Sequence, residues 1–236
     1  MVPSRASFLH PVVKLGKSAR FSEEKNVEIH LTEAFEAQSG FVHVNLNGEV
    51  DLVSKLSFEY FCGGSTADTG ETADGLSVSF GSLGQLDDKS EYGTKDGLVL
   101  SFIDFKNNAD ELYGISAFYD KGSDLLAKKI AGPAHASDFC DSKWHAIDIS
   151  VCPEQKDAHI TVSIDKMAVL QFLVPNYDVS GRDLVFAART GQSNAKHALK
   201  SLSYSADICQ TTMPITSMTT FTNVFQTFAF TNLAQA

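Results

Sequence analysis

The sequence predicts an all-β fold, an antiparallel β-sandwich built as a single domain. Three observations carry this prediction. Apolar and polar residues alternate with a period of two in many short runs, turn-forming residues separate those runs, and no segment before residue 215 carries a helical apolar stripe. The chain has 236 residues and a hydrophobic content of 43%, which is enough to bury a core of this size.

The predicted strands follow one another at short spacing. In each run the apolar residues take alternate positions and would face the core, while the polar residues would face outward. The clearest runs are residues 56–60, 76–80, 146–151, 160–164 and 202–206. Segments rich in Gly, Asp, Asn and Ser lie between them, at residues 63–64, 120–123, 180–183 and 190–194.

The charge is distributed in three regimes, which define the predicted domain organisation. Residues 1–20 carry four bases and no acid, residues 21–236 carry 15 bases against 29 acids, and no charged residue follows Asp207. We therefore predict a basic N-terminal arm over residues 1–18, one domain over residues 19–207 and an uncharged Thr/Phe-rich tail over residues 208–236. The tail fits a helix or a strand, and it either folds back over the sandwich or docks on another chain.

Composition excludes several classes of function. The net charge of −10 argues against nucleic acid as a partner, because such binding needs a basic surface. No window is apolar and long enough for a membrane span. Catalytic signatures are also missing: the sequence has no nucleophile elbow, no zinc-protease motif and no phosphate loop, so we predict that the protein is not an enzyme.

Four stretches, in this order, resemble the motifs of one family. They are A-D-G-L-S-V-S-F at residues 73–80, G-L-V-L-S-F-I-D-F-K-N at 97–107, W-H-A-I-D-I at 144–149, and L-V-F-A-A-R-T-G at 184–191 followed by His197 and L-S-Y-S at 202–205. Together they are similar to the concanavalin A-like jelly roll of legume-type lectins and span about 190 residues. The resemblance implies an antiparallel sandwich with a carbohydrate site in the loops at one edge.

The resemblance also implies which residues bind the sugar. Asp74, often preceded by a cis peptide in this family, would accept hydrogen bonds from two sugar hydroxyls, a role that suits an ionised carboxylate. Asn107 matches the family's loop asparagine, and Gly93 loosely matches the glycine whose backbone N–H completes the trio. Thr190 and Gln192 fall in the loop that varies with specificity. Asp74 next to a glycine and Asn107 in a tandem pair are equally typical of ordinary turns.

The metal-binding positions of the family depart from its pattern. The resemblance implies a calcium and manganese pair held by an acid at residue 101, a bridging acid at residue 103 and further ligands beyond. This sequence has Ser101 and Ile103, so we predict no metal ligands there and no cofactor. A single weakly bound calcium is left open by the acidic group Asp104, Asn107, Asp110 and Glu111. The family's glycosidase pattern, Glu-x-Asp-x-x-Glu, is also missing.

The four cysteines show no metal-binding spacing. The family's strand order would bring Cys62 close to Cys209, while Cys140 and Cys152 would bracket a strand. Four buried free thiols are the other reading. An even number of cysteines agrees with an oxidising compartment without requiring one.

We therefore expect a non-catalytic, lectin-like carbohydrate-binding module whose partner is a glycan or glycoprotein. The alternative is a structural or assembly subunit that keeps the fold without binding sugar or metal and joins other chains through its tails. The family favours an extracellular or cell-surface location. Residues 1–20 lack the apolar core of a secretory signal, and their basic, acid-free composition also fits an organellar presequence.

Overall fold

The computed structural model describes residues 12–23, 28–47, 50–66, 71–105, 112–120, 122, 128–134, 139–206 and 226–227. Within these residues, fifteen strands, numbered in chain order, form two sheets, and all the strand pairs described are antiparallel. The first sheet has the spatial order β1 (Val12–Lys17), β4 (Ser39–Asn45), β13 (Asp183–Arg189), β6 (Gly75–Gly81), β7 (Leu98–Ile103), β8 (Gly114–Tyr119) and β9 (Lys129–Ala134).

The second sheet has the order β12 (Met167–Val174), β11 (Asp157–Ile164), β10 (Trp144–Glu154), β5 (Lys55–Gly63), β14 (Lys196–Ser205), β3 (Glu28–Thr32) and β2 (Arg20–Phe21). A short strand, β15 (Gln226–Thr227), pairs with the C-terminal part of β14. Three 3₁₀ turns, Val50–Leu52, Leu83–Gln85 and Ser90–Tyr92, complete the described elements. The predicted all-β sandwich is therefore confirmed.

The core lies between the two sheets. Alternate residues of each strand point inward, so that β5 contributes Leu56, Phe58 and Tyr60 to one apolar cluster shared by both sheets. Phe58 of the second sheet meets Phe186 of the first edge to face, with ring centroids 5.2 Å apart. This contact joins the sheets directly at the centre of the sandwich.

The outer face of β6 differs from the sequence-based expectation of a polar face open to solvent. Ser77 and Ser79 are fully buried because residues 82–97, here called the covering segment, lie across this face. The Ser77 hydroxyl donates to the Ser90 carbonyl over 2.7 Å, and the Thr94 N–H donates to the Ser79 hydroxyl oxygen over 3.2 Å. The serines thus anchor the covering segment on the sheet.

Strand β1 lies within residues 1–18, the predicted N-terminal arm. Strand β1 pairs with β4 along its whole length, from Val12 opposite Asn45 to Lys17 opposite Gly40. Val13 and Leu15 of this strand pack against the main core, so residues 12–17 of the predicted arm belong to the sandwich. Residues 1–11 lie outside the described part of the chain.

At the other end, Gln226 and Thr227 extend the sheet by pairing with Tyr204 and Ser203. The other residues of the predicted tail lie outside the described ones, and so does the choice between helix and strand there. Within the described residues, no helix combines the length and hydrophobicity needed to cross a membrane.

Candidate functional site

Asp74 stands at the point where three neighbouring strands of the first sheet end or begin. The Ala73–Asp74 peptide is cis, as the family resemblance implies. The Asp74 N–H donates to the Arg189 carbonyl over 2.8 Å, and the Asp74 carbonyl accepts from the Asp104 N–H over 3.3 Å. Hydrogen bonds to β13 on one side and to the end of β7 on the other therefore fix the backbone at Asp74.

A buried polar chain holds the preceding peptide. His197 of β14 lies with Nε2 3.2 Å from the Ala73 carbonyl oxygen and Nδ1 2.7 Å from the Tyr60 hydroxyl. A carbonyl can only accept, so Nε2 carries the ring proton, and Nδ1 accepts from the Tyr60 hydroxyl. Burial lowers the pKa of His197 to about 4, which keeps the ring neutral near pH 7. The second sheet thus helps to fix the position of Asp74 in the first.

A cluster of charges surrounds the Asp74 side chain. Arg189 Nε lies 3.9 Å from an Asp74 carboxylate oxygen, and Arg189 Nη1 lies 3.4 Å from Glu91 Oε1 of the covering segment. Burial raises the pKa of Asp74, while Arg189 and then Lys89 act in the opposite direction. Burial also raises the pKa of Glu91, to about 7, in spite of a backbone hydrogen bond and of Arg189. Arg189 is therefore shared between two carboxyl groups.

The turn after β13 lies directly beside Asp74. A Cβ at Gly191 would sit 3.3 Å from both Asp74 carboxylate oxygens, so only a glycine leaves this approach unobstructed. The Gly191 N–H donates to the Ser193 carbonyl over 3.1 Å. Gln192 is exposed next to it. The structure therefore brings together Asp74 and the turn that the resemblance assigns to specificity.

Thr190, in the same turn, has a structural position. It is fully buried; its hydroxyl donates to the Phe35 carbonyl over 2.7 Å and accepts from the Gln38 N–H over 2.9 Å. These bonds tie the turn to residues 35–38. A direct sugar contact from the Thr190 hydroxyl stays a prediction, and its observed role is to hold the turn in place.

Gly93 lies in the covering segment, with a φ of 72° that suits glycine. A Cβ there would come within 2.5 Å of the Ser79 hydroxyl and of a Val99 methyl group. The Gly93 N–H already donates to the Ser90 carbonyl over 3.0 Å. Close packing explains why residue 93 is a glycine. A sugar that accepts from the Gly93 N–H would have to share it with the Ser90 carbonyl.

Asn107 lies outside the described residues, as do Asp110 and Glu111 of the predicted acidic group. The described metal positions can be tested. The Ser101 hydroxyl donates to the Glu91 carbonyl over 2.7 Å, and the Ile103 side chain is buried and apolar. A hydroxyl engaged in this way and an isoleucine do not fit calcium, which takes six to eight oxygen ligands. The described residues therefore do not supply the family's metal site.

One group of possible metal ligands occurs among the described residues, namely Cys62, Cys140 and Asp104. The two cysteines form a disulfide, so their sulfurs are not thiolate ligands. Burial raises the pKa of Asp104 to about 7, although hydrogen bonds from its own backbone and from Thr72 act against the shift. Asp104 thus forms a buried carboxyl group between the disulfide and the Asp74 peptide.

The disulfide corrects the expected cysteine pairing. Cys62 bonds to Cys140, with Cα atoms 4.5 Å apart, and not to Cys209. The reason is strand order: β5 lies beside β10, and Phe61 is opposite Trp144, which places Cys140 next to Cys62. Cys152 is also disulfide-bonded, so the reading of four free thiols is wrong. Cys209 lies outside the described residues.

Two groups at the site were not identified from the sequence. Glu91 stands in a loop that contains both acids and bases, and no sequence pattern distinguishes it from the other acids nearby. Tyr60 looks like any inward-facing residue of an alternating strand. His197 was noticed only as part of a closing motif. The contacts of Tyr60, Glu91 and His197 depend on which segments the fold brings together, and local sequence patterns do not contain that information.

Comparison with solved structures defines the class of fold. The chain has the concanavalin A-like fold of legume-type lectin domains. The lumenal domain of VIP36, solved with Ca²⁺ and mannose, matches with a TM-score of 0.65 and 14% identity over 86% of each chain. The Emp46p carbohydrate recognition domain in its metal-free form matches with a TM-score of 0.62 and 12% identity over 84% of this chain and 89% of that one.

A legume lectin-like domain from Entamoeba histolytica is also similar, with a TM-score of 0.58 and 16% identity over 81% of this chain and 88% of that one. No protein-family sequence model matches the chain, and no curated protein matches it in sequence. The feature shared with these structures is therefore the fold.

Proposed function

We propose that this protein is a non-catalytic, lectin-like module that binds a glycan, with Asp74 as the principal hydrogen-bond acceptor. One observation carries the proposal. The Asp74 carboxylate stands where interior strands of the first sheet end or begin, its backbone is fixed by hydrogen bonds, and Gly191 of the neighbouring turn lies close beside it. Sugar hydroxyls are donors, and a charged acceptor is about twice as strong as a neutral one. The fold neighbours include VIP36 with bound mannose, which supports a glycan as the ligand class.

The proposed contacts come from four segments of the chain. Asp74 accepts from sugar hydroxyls, and the exposed Gln192 supplies a specificity contact from the turn. Asn107 would add a donor from the loop after β7, and Gly93 a backbone donor from the covering segment. Thr190 acts by holding the turn through its two hydrogen bonds.

A binding role fits the state of the acids better than a catalytic one. Glycoside hydrolysis needs two carboxyl groups that both reach the substrate. Glu91, in the covering segment, has a raised pKa, which suits a general acid, but it is only 2% exposed and contacts Arg189. We therefore assign Glu91 to the support of Asp74.

The compartment follows from the same proposal. The VIP36 domain is described as exoplasmic or lumenal, and the Cys62–Cys140 disulfide favours an oxidising environment. We propose an exoplasmic, lumenal or extracellular location, where glycoproteins are the available partners.

A glycan array tests the proposal. The complete chain is applied with and without calcium, together with Asp74→Asn and the matched control Asp51→Asn. Asp51 is an exposed acid that precedes the N-terminal end of β5, whereas Cys62 lies near the C-terminal end of that strand. We expect binding by the wild type and the control and loss of binding with Asp74→Asn. Absence of all glycan binding by the folded protein would instead favour the assembly role, which a measurement of oligomeric state would then test.

A further inference from the structure

We propose that the Arg189 guanidinium is the fixed cation that positions the Asp74 carboxylate for its ligand, and that ligand binding at this site needs no metal ion. This inference rests on the proposed function. It makes Arg189 a positioning residue, acting through Asp74.

The register of the sheet places Arg189 where a cation is useful. Arg189 of β13 is opposite Gly75 of β6, and Gly75 is opposite Ile103 of β7. Residues directly opposite one another share a face of the sheet, so positions 189 and 103 lie in one row. They are two strand spacings apart, or about 10 Å. Gly75 carries no side chain, and a Cβ there would meet the Phe102 carbonyl oxygen at 2.2 Å.

The contacts of Arg189 are those of a bridging cation. Its Nε faces Asp74 at 3.9 Å and its Nη1 faces Glu91 at 3.4 Å, so one planar group contacts two acids from different segments. Guanidinium suits this task because its nitrogens point in fixed directions and it remains charged at any physiological pH. Lys89 is the second base whose charge acts on both carboxyl groups.

The neighbouring positions on β7 are neutral, so this strand offers no carboxylate ligand to a metal. Ile103 stands where the family would place a bridging acid, and Ser101 bonds to the Glu91 backbone. With these residues, the row contains one fixed positive group and no described carboxylate on β7. Arg189 contacts the side chain of Glu91, and the Ser101 hydroxyl donates to the carbonyl of the same residue. Both interactions therefore fix the covering segment over the row.

Affinity measurements separate this inference from the proposed function. The glycan that binds best on the array is titrated against the wild type in EDTA and in calcium, and against Arg189→Gln and Arg189→Lys. Arg182→Gln is the matched control, because Arg182 also lies close to two carboxylates, those of Asp96 and Asp120, and is similarly half-buried. We expect equal wild-type affinity in EDTA and in calcium, at least a tenfold loss with Arg189→Gln, a smaller loss with Arg189→Lys, and no change with Arg182→Gln.

A spectroscopic readout tests positioning apart from folding. The Asp74 side-chain carboxyl carbon is followed by NMR through a pH titration of the free protein. Arg189→Gln should raise the Asp74 pKa, and Arg182→Gln should leave it unchanged. Loss of wild-type binding in EDTA, a less than twofold effect of Arg189→Gln, or an unchanged Asp74 pKa in that variant would each overturn the inference. If the wild type binds no glycan at all, the proposed function fails and the inference falls with it.

Discussion

Glu91→Gln should stabilise the protein at alkaline pH. Glu91 is 2% exposed, and burial raises its pKa from the ordinary value of 4.5 to about 7. The folded state thus holds this proton more tightly than the unfolded chain. The resulting stabilisation is fully present below the unfolded pKa, near 4.5, and is lost as the pH rises through about 7. An amide has nearly the same shape and never ionises, so it avoids that loss.

The magnitude follows from the shift. A change of one pKa unit corresponds to about 1.4 kcal/mol, so this shift of roughly 2.5 units gives a full effect of about 3 kcal/mol, most of it between pH 5 and pH 8. For a chain of this size, 1 kcal/mol moves the melting temperature by about 2–4 °C. The difference in stability between Glu91→Gln and wild type should therefore increase by about 2–3 kcal/mol from pH 5 to pH 8.

Urea unfolding of both proteins at the two pH values measures this quantity. Comparing the differences cancels the steric effect of the amide and the titration of other groups, such as His197. Glu36→Gln, a change at an exposed carboxyl, is the matched control. If the free energies of unfolding of Glu91→Gln and wild type differed by the same amount at pH 5 and pH 8, the raised pKa of the Glu91 carboxyl would be refuted.

Three further predictions concern the framework of the site. Tyr60→Phe should cost about 1–3 kcal/mol in the free energy of unfolding, because His197 Nδ1 would lose its donor in a buried position; a cost near zero in urea unfolding would contradict that hydrogen bond. Replacing Cys62 and Cys140 together by Ser should lower the free energy of unfolding by about 4 kcal/mol, because the disulfide closes a loop of 78 residues. Equal melting temperatures of this variant and of the non-reduced wild type would count against the bond. Gly191→Ala should weaken glycan binding because its Cβ would meet the Asp74 carboxylate at 3.3 Å, whereas Gly84→Ala, whose Cβ meets nothing within 4 Å, should bind like wild type; equal affinities would show that the turn does not shape the site.

Local patterns were enough to predict the architecture. Leu56, Phe58 and Tyr60 alternate with polar residues along β5, and all three are buried between the sheets. The same rule gave only half of β6, since Ser77 and Ser79 are polar and yet fully buried. Their burial depends on the covering segment, whose path over the sheet is a long-range property that a period of two does not encode.

The site was predictable where a motif marks it and not elsewhere. The A-D-G motif located Asp74, and the turn at residues 189–194 was expected to contribute to the same site. The Cys62–Cys140 pair, the Tyr60–His197 contact and the Arg189–Glu91 contact all join segments more than 70 residues apart in the chain. They follow from which strands are neighbours, and the sequence alone left that order open.

The role proposed for Asp74 is to bind a glycan without help from a metal. Isothermal titration of the best array glycan in EDTA, with wild type and Asp74→Asn side by side, tests it most directly. We expect a measurable, saturable wild-type affinity in EDTA and its loss in Asp74→Asn, with both proteins folded. Equal binding by the two proteins, or wild-type binding that appears only when calcium is added, would contradict it.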